Sequence, residues 1–539
     1  MPGSTSAPKC AFLSDVTASP DPLPDDIDAL RALVIAERAR HAAEIAARDV
    51  DVARLQAMLQ AMQRARFGRS SEKLDPAQLR LGLEDVETAL AAAEAEAESR
   101  NPELKASRRA ERRSERKELA AHLPRIEIVI EPEEKNCPCC GGALHVIGED
   151  RAERLDMIPA QHRVLVTRRP KYGCRACEGA VVQAPAPPRL IEGGLPTEAT
   201  VAQILVSKYA DHLPLYRQWQ ILARQGIEID RSSLPLWVGR AAWTLKPLVI
   251  RMLESLKRSP KLFCDETRAP VLDPGRGHTK TGFLWAIARD DRPWGGADPT
   301  GVVYLYAPGR GSEHALRHLD GFGGILQVDG YAAYNALADP KRPDGPVTLA
   351  FCWAHFRRAF YDIAAGGNAP IASEALQRIA ALYAIEERIR GQSADKRRAV
   401  RQAESKPRVE DLRTWLFTQL PRVAQRAKIA EAIRYGFNHW DGLTQFLDDG
   451  RIEIDSNTVE RSIRPIALNR KNALFAGSDE GGAHWGVIAS LIETAKLNQV
   501  EPTAYLADVL TKLVNGWPAS RIDELLPWAY AKPRPAAVA

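Results

Sequence analysis

Three carboxylates stand where the surrounding residues would not normally tolerate one. Lys261 to Leu272 reads KLFCDETRAPVL, an apolar, β-compatible start followed by Asp265. Burying an unpaired charge in a strand is costly unless something compensates it. GGILQVDGYAAYNAL is a second apolar run, ending in Asp329 and the turn-prone Gly330. DSNTVERSIRPIALNRKN opens on a helix-start signal at Asp455 and Ser456, which puts Glu460 within the first turns of a helix. Brought together, such groups bind a cation, so Asp265, Asp329 and Glu460 are read as one metal-binding triad. Glu266 and Asp273 are the rivals to Asp265. On an extended strand Glu266 points to the opposite face, and Asp273 lies beyond the strand. Glu453 is the rival to Glu460, because IEIDSN could instead end a strand.

A second chemistry comes from cysteine. NCPCCGG supplies Cys137 and Cys140, and YGCRACEG supplies Cys174 and Cys177. Two C-x2-C turns at strand ends place four thiolates around one structural Zn²⁺, with Zn–S near ~2.3 Å. Cys139 is surplus and could replace one member of the first pair. RVLVTRRPK, Arg163 to Lys171, reads as a strand leading into the second knuckle. Cys352 and His355 form a C-x2-H pair beside Arg357 and Arg358. With no further ligands evident, a packed Cys and a polar His near the cleft is the expectation there.

The elements that must position the triad are short and β-rich. KLFCDETRAPVL, TGFLWAIARDD and GVVYLYAPGR read as three strands. SEHALRHLDGF is a short helix, GILQVDGY a fourth strand, and VTLAFCWAHFRRAF a fifth running into a helix. This is the ribonuclease-H order, in which the first and fourth strands are neighbours, so Asp265 and Asp329 would face each other. Asp329 and Glu460 are 131 residues apart. That gap is too long for a bare core of this kind, and its Arg-, Glu- and Ala-rich stretch reads as a helical insertion.

Length suggests three or four domains. The predicted class is multidomain α+β: a ribonuclease-H-like α/β core with a helical insertion, a helical N-terminal region and a zinc ribbon. Residues 1–24 read as disordered and 25–100 as helical or coiled-coil, with Ile27, Leu30 and Val34, then Val52, Leu55, Leu59 and Met62, at heptad-like steps. Residues 101–125 form a basic segment. Residues 126–184 form the ribbon, and 185–255 a helical region. The core spans 256–372 and 451–500, interrupted by the insertion at 373–450, and 501–539 is helical. The net charge of +5 equals that of Lys105–Arg125 alone, where eight basic residues face three acidic ones. Concentrated charge of this kind suits a polyanion, or else a solvated helix face. Arg108, Arg109, Arg112 and Arg113 are its candidate contacts. LPLYRQWQILARQG and IEIDRSSLPLWVGRAAW outline a helix-turn-helix, in which Arg231 and Arg240 could face DNA. Plain scaffold fits that outline equally well. No apolar run approaches the roughly 18 residues of a membrane span, and the N-terminus lacks the features of a secretory signal. A cytoplasmic, nucleoid-associated protein is expected.

Several motifs resemble the bacterial transposases of the insertion-sequence-sixty-six family: RFGRSSEKLDP, DETRAPVLDPGRGHTKTGFLW, QVDGYAAYN, CWAHFRRAF and NTVERSIRPIALNRKNALFAGSDEGG. The similarity runs from about Arg66 to about Leu510 and includes both cysteine pairs. It implies a cut-and-paste DNA transposase with an Asp-Asp-Glu site, carried here by Asp265, Asp329 and Glu460. In-line displacement at phosphorus by two Mg²⁺ (or Mn²⁺) ions requires only such oxygen ligands. Arg464 and Lys471 become candidate phosphate contacts, although the position seven residues after the glutamate, often basic in related enzymes, is Ala467. The resemblance further implies element ends and target duplex as DNA partners, and accessory proteins from the same element. Self-association is suggested by the helical seam. A junction-resolvase-like nuclease and an inactive zinc-dependent DNA-binding regulator are the alternatives.

Overall fold

The computed structural model describes residues 76–114, 118–176 and 179–531, with short gaps at 120, 122, 159–160 and 274–277, and part of a helix between 26 and 40. The chain divides into two compact units, Met1–Ala57 and Met58–Ala539. In the first, the described helical residues are exposed, Ile27 and Val34 among them. The remaining seam positions (Leu30, Val52, Leu55, Leu59 and Met62) lie outside the described residues, as do residues 1–24.

The second unit opens with α1 (Pro76–Arg100) and the basic α2 (Pro102–Ser114). A small sheet follows: β1 (Arg125–Val129), β2 (His145–Ile158), β3 (Gln161–Gly173) and β4 (Val181–Gln183). β2 and β3 form a long antiparallel hairpin, β1 runs parallel to β3, and β4 pairs antiparallel with the end of β3, on the same side as β1 and near the second knuckle. Three helices come next: α3 (Glu198–Tyr209), α4 (Leu215–Arg224) and α5 (Ser233–Lys257).

The larger sheet holds β5 (Lys261–Val271), β6 (Lys280–Arg289), β7 (Gly301–Ala307), β8 (Ile325–Val328) and β9 (Thr348–Phe351), with α6 (Ser312–His318) before β8. Its spatial order is β7-β6-β5-β8-β9. The first three strands are antiparallel, and β8 and β9 join parallel to β5. β5 is central and buried on both faces, which explains its nearly continuous apolar start.

From α7 (Trp353–Ala364) the chain is helical: α8 (Pro370–Ile389), α9 (Ala394–Val400), α10 (Lys406–Gln419), α11 (Lys428–Asn438) and α12 (Trp440–Asp448). These helices bury their own core around Trp353, Phe356, Phe360 and Trp440, against Ile325 of β8 and Ala350 of β9. The chain then returns to the sheet through α13 (Asn457–Ala473), α14 (Asp479–Leu497) and α15 (Pro502–Val514). α14 guards the edge strand β7. Its Ser490 hydroxyl accepts from the Tyr304 N–H at 2.8 Å, and its Thr494 hydroxyl accepts from Val302 N–H at 3.0 Å and donates to Val302 C=O at 2.9 Å. An unpaired edge is thereby covered.

One continuous apolar core runs from Leu119 through the three helices to the sheet and on to Leu526. Residues 185–255 therefore share a core with the sheet. Among the described residues no helix is long and apolar enough to cross a membrane.

Candidate metal centres and nucleic-acid interface

The β5–β8 register places the first two carboxylates. Phe263 pairs with Gln327 across parallel strands. Two residues further along each strand, Asp265 comes abreast of Asp329. The turn that ends β8 depends on Gly330, whose φ is +97° and where a Cβ would sit 2.9 Å from the His439 ring. Asp265 Oδ1 accepts from the Glu266 N–H, and Asp329 Oδ1 from the Tyr331 N–H, each at 2.8 Å. Burial, then the charges of Glu266 and Asp329, push the Asp265 carboxyl up to about 7.

Glu266 faces the other way, as alternation along a strand requires. It is buried, pairs with Arg310 and accepts from the Tyr334 hydroxyl at 2.5 Å. Arg310 also stacks on Tyr331, 3.7 Å from the ring centre. The rival Glu453 lies in irregular backbone rather than a strand and pairs with buried Arg397 at 2.6 Å.

Glu460 is positioned by α13. Ser456 is its N-cap residue, and the preceding Asp455 carboxylate accepts from the Asn457 N–H at 3.1 Å. Val459, Ser462, Ile466 and Asn469 face inward at helical spacing. Glu460 is half-buried beside that stripe, while Arg461, Arg464 and Lys471 are exposed. Glu460 Oε1 lies 3.7 Å from His355 Nδ1. His355, Arg357, Arg358, Tyr361, Asn457 and Arg464 surround Glu460 in an open cleft of about 300 Å³.

Among the described residues, two groups of three ligand-bearing side chains converge within 4.8 Å: Cys137, Cys140 and Cys174, and Cys352, His355 and Glu460. Asp265, Asp329 and Glu460 do not form such a group; Glu460 is drawn toward His355. The C-x2-H spacing supplies only two ligands; Glu460, 105 residues further along the chain, is the third. Cys352 is buried at the start of α7 and its sulfur accepts from the Ser456 N–H at 3.2 Å. Burial pushes its thiol up to about 11, against the Ser456 and His355 amides, which lower it.

In the first group Cys140 and Cys174 Sγ are 3.7 Å apart. Cys139 is exposed and outside the cluster. Cys177 lies outside the described residues. The donor set suits zinc: three thiols at two turns, the first closed by the Asn136–Ala143 bridge and the second following β3.

The proposed DNA-contacting arginines fall into two classes. Arg109 and Arg113 are exposed and, with Arg151, Arg169 and Arg189, line a cleft of about 400 Å³ between α2 and the hairpin. Arg108 instead pairs with Glu94 at 3.3 Å, and Arg112 with Glu98 at 2.9 Å. Arg231 pairs with Glu87 at 3.2 Å. Arg240 departs furthest from the expectation of a DNA-facing side chain: it is buried and grips Glu98 through both terminal nitrogens, at 2.6 and 3.1 Å. The reason is α1, which lies directly on α5. At Gly239 an added Cβ would come within 2.1 Å of Thr88 O. The face of the second helix is thus filled by an acidic helix of the same chain. Burial pushes Glu98 upward, but hydrogen bonds from Arg112 and Arg240 hold it below the usual carboxylate range.

Four family models match the chain. The model described as "Transposase IS66 family" covers residues 193–484, and "IS66 C-terminal element" covers 490–528. "Zinc-finger binding domain of transposase IS66" covers 134–178, and "Transposase C of IS166 homeodomain" covers 54–128. Relatives include three uncharacterized proteins of Sinorhizobium fredii. One, y4qI, is 46% identical over 532 residues, covering 94% of this chain and 98% of the relative. Another, y4jD, is 49% identical over 415 residues, covering 76% and 81%. The third, y4hP, is 37% identical over 487 residues, covering 88% and 87%. The transposase model alone spans more than half of the sequence, its companions account for the cysteine knuckles and the last helices, and the chain belongs to the IS66 transposase family.

Proposed function

We propose that this protein is a divalent-metal-dependent DNA transposase. It binds the ends of an insertion element, cleaves the phosphodiester at the 3′ ends and joins those ends to target DNA. The observation that carries the reading is the adjacency of Asp265 and Asp329 on neighbouring parallel strands, in a member of this family. The strand order, three antiparallel and two parallel, supports a ribonuclease-H-like core with residues 373–450 as a helical insertion.

The residues fit a hard divalent cation. Asp265 is crowded by like charge, and the Arg310 guanidinium is engaged by Glu266. Asp265, Asp329 and Glu460 would hold two Mg²⁺ or Mn²⁺ ions, which supply activation of the attacking oxygen and stabilisation of the leaving one. The chain itself does the positioning. The parallel register fixes Asp265 against Asp329, and Gly330 turns the backbone away so that Asp329 stays at the strand end. Glu460 projects from the first turn of α13, where the helix N-terminus favours negative charge. Arg357, Arg358, Arg464 and Lys471 present exposed positive charge for the DNA backbone. Arg109 and Arg113 supply a second, separate basic surface. The cysteine group holds one structural Zn²⁺, completed by Cys177. The protein acts in the bacterial cytoplasm on nucleoid DNA, as an oligomer and with accessory proteins of the same element.

The test is strand transfer of a labelled element end. Joining that requires Mg²⁺ and disappears in Asp265→Asn supports the reading. Cleavage without joining would instead indicate a resolvase-like nuclease, and end binding without either would indicate an inactive regulator.

A further inference from the structure

Cys352, His355 and Glu460 make a set that the Asp-Asp-Glu reading does not use as a set. We propose that these three side chains form a second transition-metal site, selective for a borderline cation such as Zn²⁺ and distinct from the cysteine knuckles. The proposal shares Glu460 with the reading above, but it rests on the geometry of the three donors.

The distances suit a small tetrahedral ion. Two ligands at ~2.0–2.1 Å in tetrahedral geometry lie about 3.4 Å apart. His355 Nδ1 and Glu460 Oε1 are 3.7 Å apart, and the three donors lie within 4.8 Å of one another. Both of those atoms are buried without a hydrogen-bond partner. Two polar atoms that face each other at this distance, each short of a partner, are what a shared cation would satisfy.

The scaffold is equally suited. Cys352 and His355 are spaced C-x2-H at the start of α7, a spacing that turns both side chains toward one point. The Ser456 and His355 amides are directed at the Cys352 sulfur and would stabilise a thiolate. Ser456 in turn stands at the N-cap position of the helix that carries Glu460. The thiol and the imidazole discriminate against Mg²⁺, which prefers oxygen, and in favour of zinc. The fourth position opens onto the cleft bounded by Arg357, Arg358 and Arg464 and would hold water.

The experiment is metal stoichiometry on the full-length protein, purified without chelator, after equilibration with limiting Zn²⁺ and removal of free ion. Wild type is expected to retain about two equivalents, and Cys352→Ser and His355→Ala about one each. Cobalt substitution should give a thiolate-to-metal absorption that is partly lost in Cys352→Ser. His355 is only half-buried, so His355→Ala decides the matter if Cys352→Ser fails to fold. One equivalent in wild type, unchanged in both variants, overturns the site. Two equivalents that persist in His355→Ala also overturn it, since the second ion then sits elsewhere. Asp265→Asn should keep both equivalents while losing strand transfer. The metal count therefore stands or falls separately from the transposase reading.

Discussion

The start and the middle of β5 treat buried charge in opposite ways. At its start Lys261 is fully buried, and burial lowers its ammonium to about 8, against the charges of Glu453 and Asp291. Around it the signs interleave. Arg397 bridges Glu453 at 2.6 Å and Glu386 at 3.4 Å, and Arg401 holds Glu386 through two nitrogens at 2.6 and 2.8 Å. Arg401 also donates to the carbonyls of Phe446 and Asp449, tying the helical region together. Four residues beyond Lys261 the signs no longer alternate. Asp265 meets Glu266 and Asp329, and its carboxyl rises to about 7. Paired buried charge is architecture, whereas buried like charge without a counterion marks a place for a cation.

The largest expected effect breaks the like-charged group around Asp265. Asp265→Asn, Asp329→Asn and Glu460→Gln should each lower strand transfer by more than ~10³-fold, on the scale of losing a principal electrostatic element of catalysis. Circular dichroism and end binding should stay unchanged. Glu460→Gln with wild-type joining would remove Glu460 from the triad.

The interleaved cluster around Lys261 should fail in the opposite manner. Arg401→Ala strands Glu386 beside Arg397 and should cost about 3–5 kcal/mol of stability. Urea unfolding measures this. A loss below ~1 kcal/mol would show that the interleaved cluster is not structural.

A third experiment sharpens the comparison by pH. Asp265 is raised in the folded state, from the usual 3.8 to about 7. Below pH 4 it is neutral in both states and carries no penalty. As the pH rises from 4 to 7 the unfolded chain ionises first, and stability falls. Asp265→Asn in Mg²⁺-free buffer should therefore raise stability by about 2 kcal/mol at pH 8, allowing for partial solvent screening. That gain should shrink toward zero near pH 4, read as the difference in Tm across a pH series. A variant that is less stable than wild type at pH 8 would place Asp265 in the paired class.

The smallest effect concerns the exposed arginines. Arg464→Ala and Arg109→Ala should each weaken DNA binding at low salt and reduce the salt slope by about 1. Arg240→Ala should instead act through stability, because its partner is Glu98. If Arg240→Ala lowers the salt slope while leaving the melting curve alone, α1 does not cover α5 in solution.

Local patterns were sufficient for much of this molecule. Strand runs at 261–271, 280–289 and 301–307, the cap at Ser456 and the cysteine knuckles depend on neighbours in sequence, and the residues there announce them. The helical character of 373–450 is legible for the same reason. Pairings between distant segments are not local. The β5–β8 register, the proximity of His355 to Glu460 and the seating of α1 on α5 bring together residues 64, 105 and 142 apart, as in Asp265 with Asp329, His355 with Glu460, and Glu98 with Arg240. An arginine reads the same in sequence whether it faces phosphate or a buried glutamate. Sequence by itself determined the elements, the donor types and the family. Only the tertiary structure decided which charges are neutralised from within, because that depends on which surfaces the packed helices leave open.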